Sequence, residues 1–238
     1  MDELGATILQ LDRVGMRYGP SGEVLREIDL KLAAGSFYFV VGPSGAGKTS
    51  LLRLMSLTHP PSQGSMVLFG RDVAKLERAE SSALRRRIGM IFQDFRLLEH
   101  MTAFDNVALP LRLGGASDEQ ISAHVSQMLG WLGLGDAMEK KPGELSMGQR
   151  QLVSVGRAVI GRPSLLLADK PTSSVDPGRS RRLMHLFLSL HRLGTAVVFV
   201  THNERLVRRH PFPVLTMEAG RLRRQEPAAT PTPVPMSA

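Results

Sequence analysis

Short apolar runs alternate with helical patterns along most of the chain, and this alternation predicts the fold class. The apolar runs are Phe37–Val41, residues 165–168, Ala196–Val200 and residues 213–216. Because a strand covered on both faces has apolar residues at nearly every position, these runs predict buried strands. Helical patterns separate them, notably at residues 49–57 and 179–193. The order strand, helix, strand, helix predicts an α/β fold with a mostly parallel sheet.

Two regions depart from this alternation. Residues 1–36, with residues 66–69, contain apolar segments between Gly and Pro turns, which predict an antiparallel flap of short strands. Residues 94–160 are mainly helical in pattern and predict an insertion between two core strands. We therefore predict one domain over residues 1–225. Residues 226–238 are rich in Pro, Ala and Thr, which predicts a disordered tail.

The composition is that of a globular domain without thiol chemistry. Hydrophobic residues make up 42% of the 238 residues, enough to form a core. No apolar stretch is long enough to cross a bilayer and the N-terminus lacks the pattern of a secretory signal, so a cytosolic location is expected. The sequence has no cysteine, which excludes disulfides, zinc–thiolate sites and thiol nucleophiles.

The charge of the chain favours anionic partners. The formal net charge is +8 and the pI is near 10.5. Nucleotides, nucleic acids and anionic membrane surfaces all fit this charge. Much of the charge is arginine in short runs, at residues 85–87 and 221–224, which also fit solvated helix faces and loop edges. Only 5% of the residues are aromatic, so these runs are weak evidence for nucleic acid binding.

A phosphate-binding loop is the strongest chemical signal. The segment GPSGAGKT, residues 42–49, matches G-x-x-x-x-G-K-[ST] between a predicted strand and a predicted helix. Its glycines let backbone N–H groups face a phosphate chain, and the helix N-terminus adds partial positive charge. We expect Lys48 to reach the β- and γ-phosphates and Thr49 to offer its hydroxyl to Mg²⁺. The predicted ATP-binding residues of this segment are Gly42, Pro43, Ser44, Gly45, Ala46, Gly47, Lys48, Thr49 and Ser50.

A carboxylate for the metal side of such a loop is also predicted. Asp169 directly follows the apolar run at residues 165–168. An aspartate at the end of a strand often serves only as a turn or cap residue. Beside a phosphate-binding loop, however, an acidic residue at a neighbouring strand end is placed to hold Mg²⁺.

Further motifs in the same order resemble those of the nucleotide-binding subunits of ABC transporters, over roughly residues 6–224. Taken alone, a glutamine such as Gln93 or a strand-end histidine such as His202 more often has a structural role. The matching positions are Tyr18, the loop at residues 42–49, Gln93, the signature LSMGQ at residues 145–149, Asp169, Asp176 in SSVD, and His202.

The resemblance implies the ligands and the role of each of these residues. Tyr18 would stack on the adenine of ATP, and Thr49, Gln93 and Asp169 would bind Mg²⁺. His202 would be the catalytic switch histidine and Asp176 the D-loop carboxylate. Such subunits work as head-to-tail pairs, so a homodimer is expected, in which the signature of one chain covers the ATP of the other. The signature residues are Ser146, Met147, Gly148 and Gln149.

Within the family, the segment IGMIFQDFRLLEHMTAFDNVALPLRLGG, residues 88–115, is similar to the cell-division ATPases of the FtsE group. That likeness implies an FtsX-like membrane subunit as partner, at the cytoplasmic face of the bacterial inner membrane. Exporter and lipoprotein-release ATPases share much of the pattern and form the main alternative. A soluble ABC protein acting on nucleic acid is a third hypothesis, disfavoured because such proteins usually carry paired cassettes or long coiled coils.

One position departs from the family in a way that bears on catalysis. Lys170 stands where the resemblance implies a glutamate that acts as general base. An ammonium group has no free lone pair, so it cannot take a proton from water. Three interpretations follow: ATP binds but hydrolysis is nearly lost, residual hydrolysis persists through Gln93 and His202, or Lys170 itself is a base with a lowered pKa. Whether the chain hydrolyses ATP is therefore left open. The exporter or lipoprotein-release alternative requires hydrolysis, so Lys170 counts against it.

The signature departs as well. Met147 occupies a position where the family prefers glycine, whose small size lets the backbone approach phosphate. We expect a modest loss of γ-phosphate affinity across the dimer, because methionine is flexible enough to point aside and Gly148 is retained.

Overall fold

The computed structural model describes residues 5–19 and 22–225, and two sheets form its frame. The strands are β1 (Thr7–Arg17), β2 (Glu23–Ala33), β3 (Phe37–Val41), β4 (Gln63–Leu68), β5 (Arg71–Asp72), β6 (Ile88–Ile91), β7 (Leu165–Asp169), β8 (Ala196–Val200), β9 (Val214–Glu218) and β10 (Arg221–Gln225). One sheet has the order β10-β9-β3-β8-β7-β6 and is parallel except for β10 at its edge. The other is antiparallel, in the order β2-β1-β4-β5.

Seven α-helices connect the strands of the described chain. They are α1 (Lys48–Met55), α2 (Arg78–Arg86), α3 (Ala103–Leu113), α4 (Asp118–Trp131), α5 (Met147–Val159), α6 (Pro177–Arg192) and α7 (Glu204–Arg209). Short 3₁₀ turns lie at Val73–Lys75, Gly135–Ala137 and Pro142–Glu144. Helices α3, α4 and α5 lie between β6 and β7 in the chain. The predicted α/β fold, with its antiparallel flap and helical insertion, is confirmed.

The parallel sheet has a separate apolar core on each face. Along β3, Phe37 and Phe39 pack into the core shared with α3, α5 and α6, whereas Tyr38 and Val40 pack into the core shared with α1 and the antiparallel sheet. Every residue of β7 and β8 is buried. This two-sided burial explains the continuous apolar runs of the sequence.

The antiparallel flap differs from its prediction in strand length. Strands β1 and β2 have 11 residues each rather than being short. Arg13 and Glu27 have left-handed backbone angles, with φ of 46° and 48°, and the pairing register shifts between Leu11 and Val14. Because each irregularity breaks the alternation of apolar and polar positions, one long strand looks like two short ones.

Two polar side chains, the buried Asn106 and the half-buried Arg157, hold the helical region to the loop that follows β6. The amide of Asn106 accepts a hydrogen bond from the Leu98 N–H and donates to the carbonyl oxygens of Leu98 and Thr102. The guanidinium of Arg157, on α5, donates to the carbonyl oxygens of Phe95 (2.8 Å) and Arg96 (2.7 Å). The loop containing Gln93 is thereby tied to the helix that begins at the signature.

Two of the sequence expectations concern the chain ends and membranes. The predicted tail, residues 226–238, lies outside the described residues. Among the residues that the structure describes, no helix is both long enough and apolar enough to span a bilayer.

The contact between β6 and α5 gives a test of the packing. A Cβ on Gly89 would collide with the carbonyl oxygen of Ala158 and lie 2.9 Å from Cγ of Pro163. We expect Gly89→Ala to lower the free energy of unfolding by about 1–3 kcal/mol, as overpacking typically does. The measurement is urea denaturation followed by circular dichroism.

The matched control is Gly130→Ala in α4, where no atom lies within 4 Å of the added Cβ. There the same substitution is expected to stabilise the protein by about 0.4–1 kcal/mol. The reason is that an unfolded chain with alanine at this position has less conformational entropy to lose on folding than one with glycine. Equal effects at the two positions would contradict the packing described for β6 and α5.

Candidate nucleotide-binding site

The predicted phosphate-binding loop connects β3 to α1 and has the backbone that its glycines allow. Gly42, Gly45 and Gly47 all have positive φ, of 140°, 77° and 105°. A side chain at Gly42 would also collide with the carbonyl oxygen of Met217. Helix α1 begins at Lys48, directly after Gly47. The loop therefore presents a helix N-terminus to its concave side, the arrangement that binds phosphate.

Lys48 is buried and held inside this loop. Its ammonium donates hydrogen bonds to the carbonyl oxygens of Gly42 (2.8 Å) and Pro43 (2.7 Å). Burial lowers the pKa of Lys48, the charge of Lys170 lowers it further, and Asp169 acts in the opposite direction. The chain thus keeps a cation in the loop, held by the carbonyl oxygens of Gly42 and Pro43.

Thr49 and Asp169 meet at the boundary between the loop and the sheet. The Thr49 hydroxyl donates to Oδ2 of Asp169 at 2.6 Å. Asp169 ends β7 and is 1% exposed, and its Oδ1 is buried without a hydrogen-bond partner among the described residues. A hydroxyl and a carboxylate with an unused oxygen suit Mg²⁺, a hard cation that takes oxygen ligands.

The protein would supply only part of the ligands of such an ion. Within residues 5–19 and 22–225, no group of three His, Asp or Glu side chains could hold a metal. Mg²⁺ bound to nucleotides usually takes most of its ligands from phosphates and water. Thr49 and Asp169 therefore fit a Mg²⁺ ion that arrives with a nucleotide, and the predicted third ligand, Gln93, is exposed beyond the end of β6.

Lys170 follows Asp169 directly, at the edge of the sheet that faces the loop. Its backbone has φ of 49°, its N–H donates to the carbonyl oxygen of Val200 (3.1 Å), and its own carbonyl accepts from N and Oγ of Ser173. The charge of Lys170 lowers the pKa of both Lys48 and His202. The ammonium of Lys170 therefore belongs to the same electrostatic site as these two side chains.

His202 lies two residues beyond the end of β8 and is exposed. Desolvation lowers the pKa of His202, the charges of Lys48 and Lys170 lower it further, and Asp169 raises it. The imidazole is therefore favoured in its neutral form at neutral pH, in which it can either donate or accept a hydrogen bond.

The predicted adenine-stacking residue lies beside α1. The hydroxyl of Tyr18 is 3.3 Å from Oγ of Ser50 and accepts a hydrogen bond from Arg53 at 3.2 Å. Its ring makes an edge contact with His59, with 4.9 Å between centroids. Tyr18 is half-buried at the entrance of the loop, next to Ser50.

The signature residues start α5 and form a surface of their own. Ser146 and Gln149 make reciprocal hydrogen bonds that cap the helix, at 3.2 Å and 2.9 Å. Met147 is 65% exposed. A Cβ on Gly148 would lie 3.1 Å from the carbonyl oxygen of Ser174, so glycine allows the helix start to pack against the loop that precedes α6.

Asp176 has a structural role within this chain. Its Oδ1 accepts hydrogen bonds from the N–H groups of Gly178 (2.9 Å) and Arg179 (3.0 Å), which cap α6. The hydrogen bond from Arg179 and that from Gly178 lower the pKa of Asp176.

The structure thus links Lys48, Thr49, Asp169, Lys170 and His202 through one hydrogen bond and through the effects of their charges, while Ser146 and Met147 are exposed at the start of α5. Sequence reasoning missed Arg157, which connects the Gln93 loop to α5. A charged residue on the buried side of α5 was the available signal, because buried arginines usually have a specific acceptor.

The fold and the loop around Lys48 define a P-loop nucleotide-binding protein. The chain belongs to the ABC transporter family, whose family model matches residues 25–173.

Curated relatives are ATP-binding proteins of methionine import. The chain is 40% identical over 209 residues to methionine import ATP-binding protein MetN of Xylella fastidiosa, covering 86% of this chain and 62% of that protein. It is 37% identical over 219 residues to the MetN protein of Cupriavidus metallidurans, covering 90% of this chain and 64% of that protein. The chain therefore spans somewhat less than two thirds of the length of these relatives.

A solved structure matches the whole fold. The ATP-binding cassette MJ0796, solved as a dimer in a post-hydrolysis state with ADP and Pi, superposes with a TM-score of 0.86 at 29% identity. The match covers 93% of this chain and all of that one.

The comparisons correct the prediction of a cell-division function with an FtsX-like partner, which was wrong. The relatives are named as methionine import proteins, and they favour the transport alternative instead. The segment behind the prediction, residues 88–115, forms β6, the following loop and α3. Within this segment, Gly89 packs against Ala158 and the side chain of Asn106 makes loop hydrogen bonds, so both residues have structural roles.

Proposed function

We propose that this chain is the ATP-binding subunit of an ABC importer, with ATP and Mg²⁺ as its ligands. The observation that carries the proposal is the convergence of Lys48, Thr49 and Asp169 on the concave side of the loop. The ammonium would bind phosphate oxygens, whereas the hydroxyl and carboxylate would hold Mg²⁺. When bound, Mg²⁺ would neutralise charge on the phosphates. The domain proposed for this activity is residues 1–225.

Methionine, or a chemically similar small molecule, is the proposed cargo. The support is the name shared by relatives that are 37–40% identical over most of this chain. Since this chain covers only 62–64% of those proteins, the cargo is inferred from the ATP-binding portion alone.

Two further chains complete the proposed assembly. A second nucleotide-binding domain is proposed because the resemblance to ABC subunits implies that Ser146 and Gly148, at the start of α5, cover the nucleotide of a partner. The dimeric state of the structurally similar MJ0796 supports this pairing. An integral membrane subunit would carry the cargo and place this chain at the cytoplasmic face of the membrane.

Lys170 limits what the proposed site can do with ATP. His202 is a neutral base at this site, because its lowered pKa favours the form with a free lone pair at neutral pH. Hydrogen bonds with Val200 and Ser173 hold the backbone of Lys170 in place. The side chain at this position is an ammonium, so it cannot act as the carboxylate base that the family resemblance implies. We therefore propose that the chain binds ATP firmly and that hydrolysis is slow. Lys170 acting as the base is disfavoured, since bound phosphates would oppose loss of its proton.

Recovery of the native complex tests the assignment to a transporter. The chain, tagged and purified from detergent-solubilised membranes, is expected to bring with it a polytopic membrane protein, and cells lacking the chain are expected to take up less labelled methionine. Recovery of nucleic acid in place of a membrane protein would contradict the proposal. A membrane partner with unchanged methionine uptake would retain the transporter and reject the cargo.

Restoring a carboxylate tests the proposed limit on turnover. We expect Lys170→Glu to raise steady-state ATP hydrolysis by the purified complex by about 10²-fold or more, within the range that a positioned base supplies. Lys170→Gln, which removes the charge but adds no base, should leave hydrolysis slow. A fast native rate that Lys170→Glu does not change would contradict the proposed role of this position.

A further inference from the structure

We propose that a groove at the N-terminal edge of the parallel sheet is a docking site for an amphipathic helix of a partner protein, one with apolar anchors and acidic flanks. The groove has a volume of about 2010 Å³ and lies among β1, α4, α6 and the turn after α5. The inference goes beyond the proposed function and does not depend on ATP binding.

The groove lies at the opposite end of the strands from the nucleotide site. Ser164 and Thr195 line it, and they directly precede β7 and β8. These strands are parallel to each other and to β3 and β6, so their first residues share one edge of the sheet, whereas the P-loop and Asp169 lie at the other. An occupant of the groove would therefore contact neither the bound nucleotide nor Gln93, which lies beyond the end of β6.

The size of the groove indicates a macromolecular ligand. Pockets for small molecules usually measure about 300–1,000 Å³, so such a ligand would fill at most about half of this groove. A helix about 10 Å in diameter and about four to five turns long has roughly the volume of the groove. Trp131 and Leu193 also line it and are 44% and 84% exposed, so a partner broad enough to cover both would bury apolar surface.

The charges around the groove favour an acidic partner. Its lining includes Arg87, Arg162 and Arg192 and, among the described residues, no aspartate or glutamate. Within residues 5–19 and 22–225, none of these arginines forms an ion pair. Arg87 lies over the ring of Phe69, 3.9 Å from its centroid, and Arg192 donates to uncharged groups of its own helix. Carboxylates of a partner would pair with these guanidinium groups.

A second copy of this chain fits the groove less well than an acidic helix does. A symmetric pair presents the same surface from both subunits, so the arginines of one copy would face those of the other. Like charges that face each other across an interface are unfavourable. An amphipathic helix would instead place its apolar anchors against Trp131 and Leu193 and its acidic residues beside the arginines.

The experiment uses Trp131 as the reporter, because it is the only tryptophan of the chain and it lines the groove. The probe is a synthetic helix of about 18 residues, or about five turns, with leucines on one face and glutamates on the others. In the matched control peptide, lysines replace the glutamates. We expect the glutamate peptide to protect Trp131 of the purified chain from acrylamide quenching in a saturable way, and the lysine peptide to leave the quenching unchanged.

Charge reversal tests the role of the arginines. We expect Arg162→Glu combined with Arg192→Glu to weaken binding of the glutamate peptide at least about tenfold, because repulsion replaces the proposed pairing. The matched control combines Arg205→Glu with Arg209→Glu, the same charge change on exposed arginines of α7 that do not line the groove. We expect this control to leave the Kd of the peptide unchanged. Circular dichroism checks that both variants keep the fold.

The other outcomes overturn the inference. They include protection by neither peptide, equal protection by both, and equal effects of the two double variants. Protection that rises with chain concentration in the absence of peptide would assign the groove to a second copy, and protection lost on removal of residues 226–238 would assign it to that segment. Protection by phosphatidylglycerol vesicles alone would assign it to lipid. None of these results bears on ATP binding, so the inference and the proposed function fail separately.

Discussion

The 2.6 Å hydrogen bond between the Thr49 hydroxyl and the Asp169 carboxylate joins the phosphate-binding loop to strand β7 of the parallel sheet. It connects two segments that are 120 residues apart in the chain. On one side, the bond fixes the start of α1, and with it Lys48 and the N–H groups of the loop. On the other side, it fixes the end of β7, so that the next residue, Lys170, must lie beside the same loop. The geometry of the candidate nucleotide site depends on that placement.

This placement makes the identity of residue 170 consequential. A lysine on a distant surface would change only the net charge, but here its charge acts on both Lys48 and His202. In the proposed function, the same residue takes the place of the expected general base and would add a cation beside the phosphates. Slow hydrolysis and retention of nucleotide are therefore both proposed to follow from one side chain. An ATP-driven importer built on this chain would need either a partner chain that supplies turnover or nucleotide exchange to reset it.

The sequence was informative wherever one strong local constraint acted alone. Continuous apolar runs predicted β3 and β8 to the residue, because both faces of those strands are buried. The glycines of the P-loop predicted its backbone, because only glycine readily takes the φ found at Gly42 and Gly47. Strands β1 and β2 were predicted too short, since bulges at Arg13 and Glu27 break the alternation that a sequence pattern relies on.

Long-range contacts and subfamily were beyond the sequence. The bonds from Arg157 to Phe95 and Arg96 join residues about 60 positions apart, and no local pattern indicates such partners. The subfamily prediction rested on the segment at residues 88–115 as a whole, and within it Gly89 and Asn106 serve packing and loop hydrogen bonds. Residues fixed by the fold are shared across cassettes of different function, so they do not distinguish division from transport.

The central proposal is that Lys170 occupies the place where a general base would act, so that bound ATP is hydrolysed slowly, and a structure of the chain with ATP tests it most directly. The account predicts intact ATP in the site after prolonged incubation with Mg²⁺, with Nζ of Lys170 within about 4 Å of a γ-phosphate oxygen, the range of an ion pair. ADP in the site, or a Lys170 side chain directed into solvent with ATP bound, would contradict it.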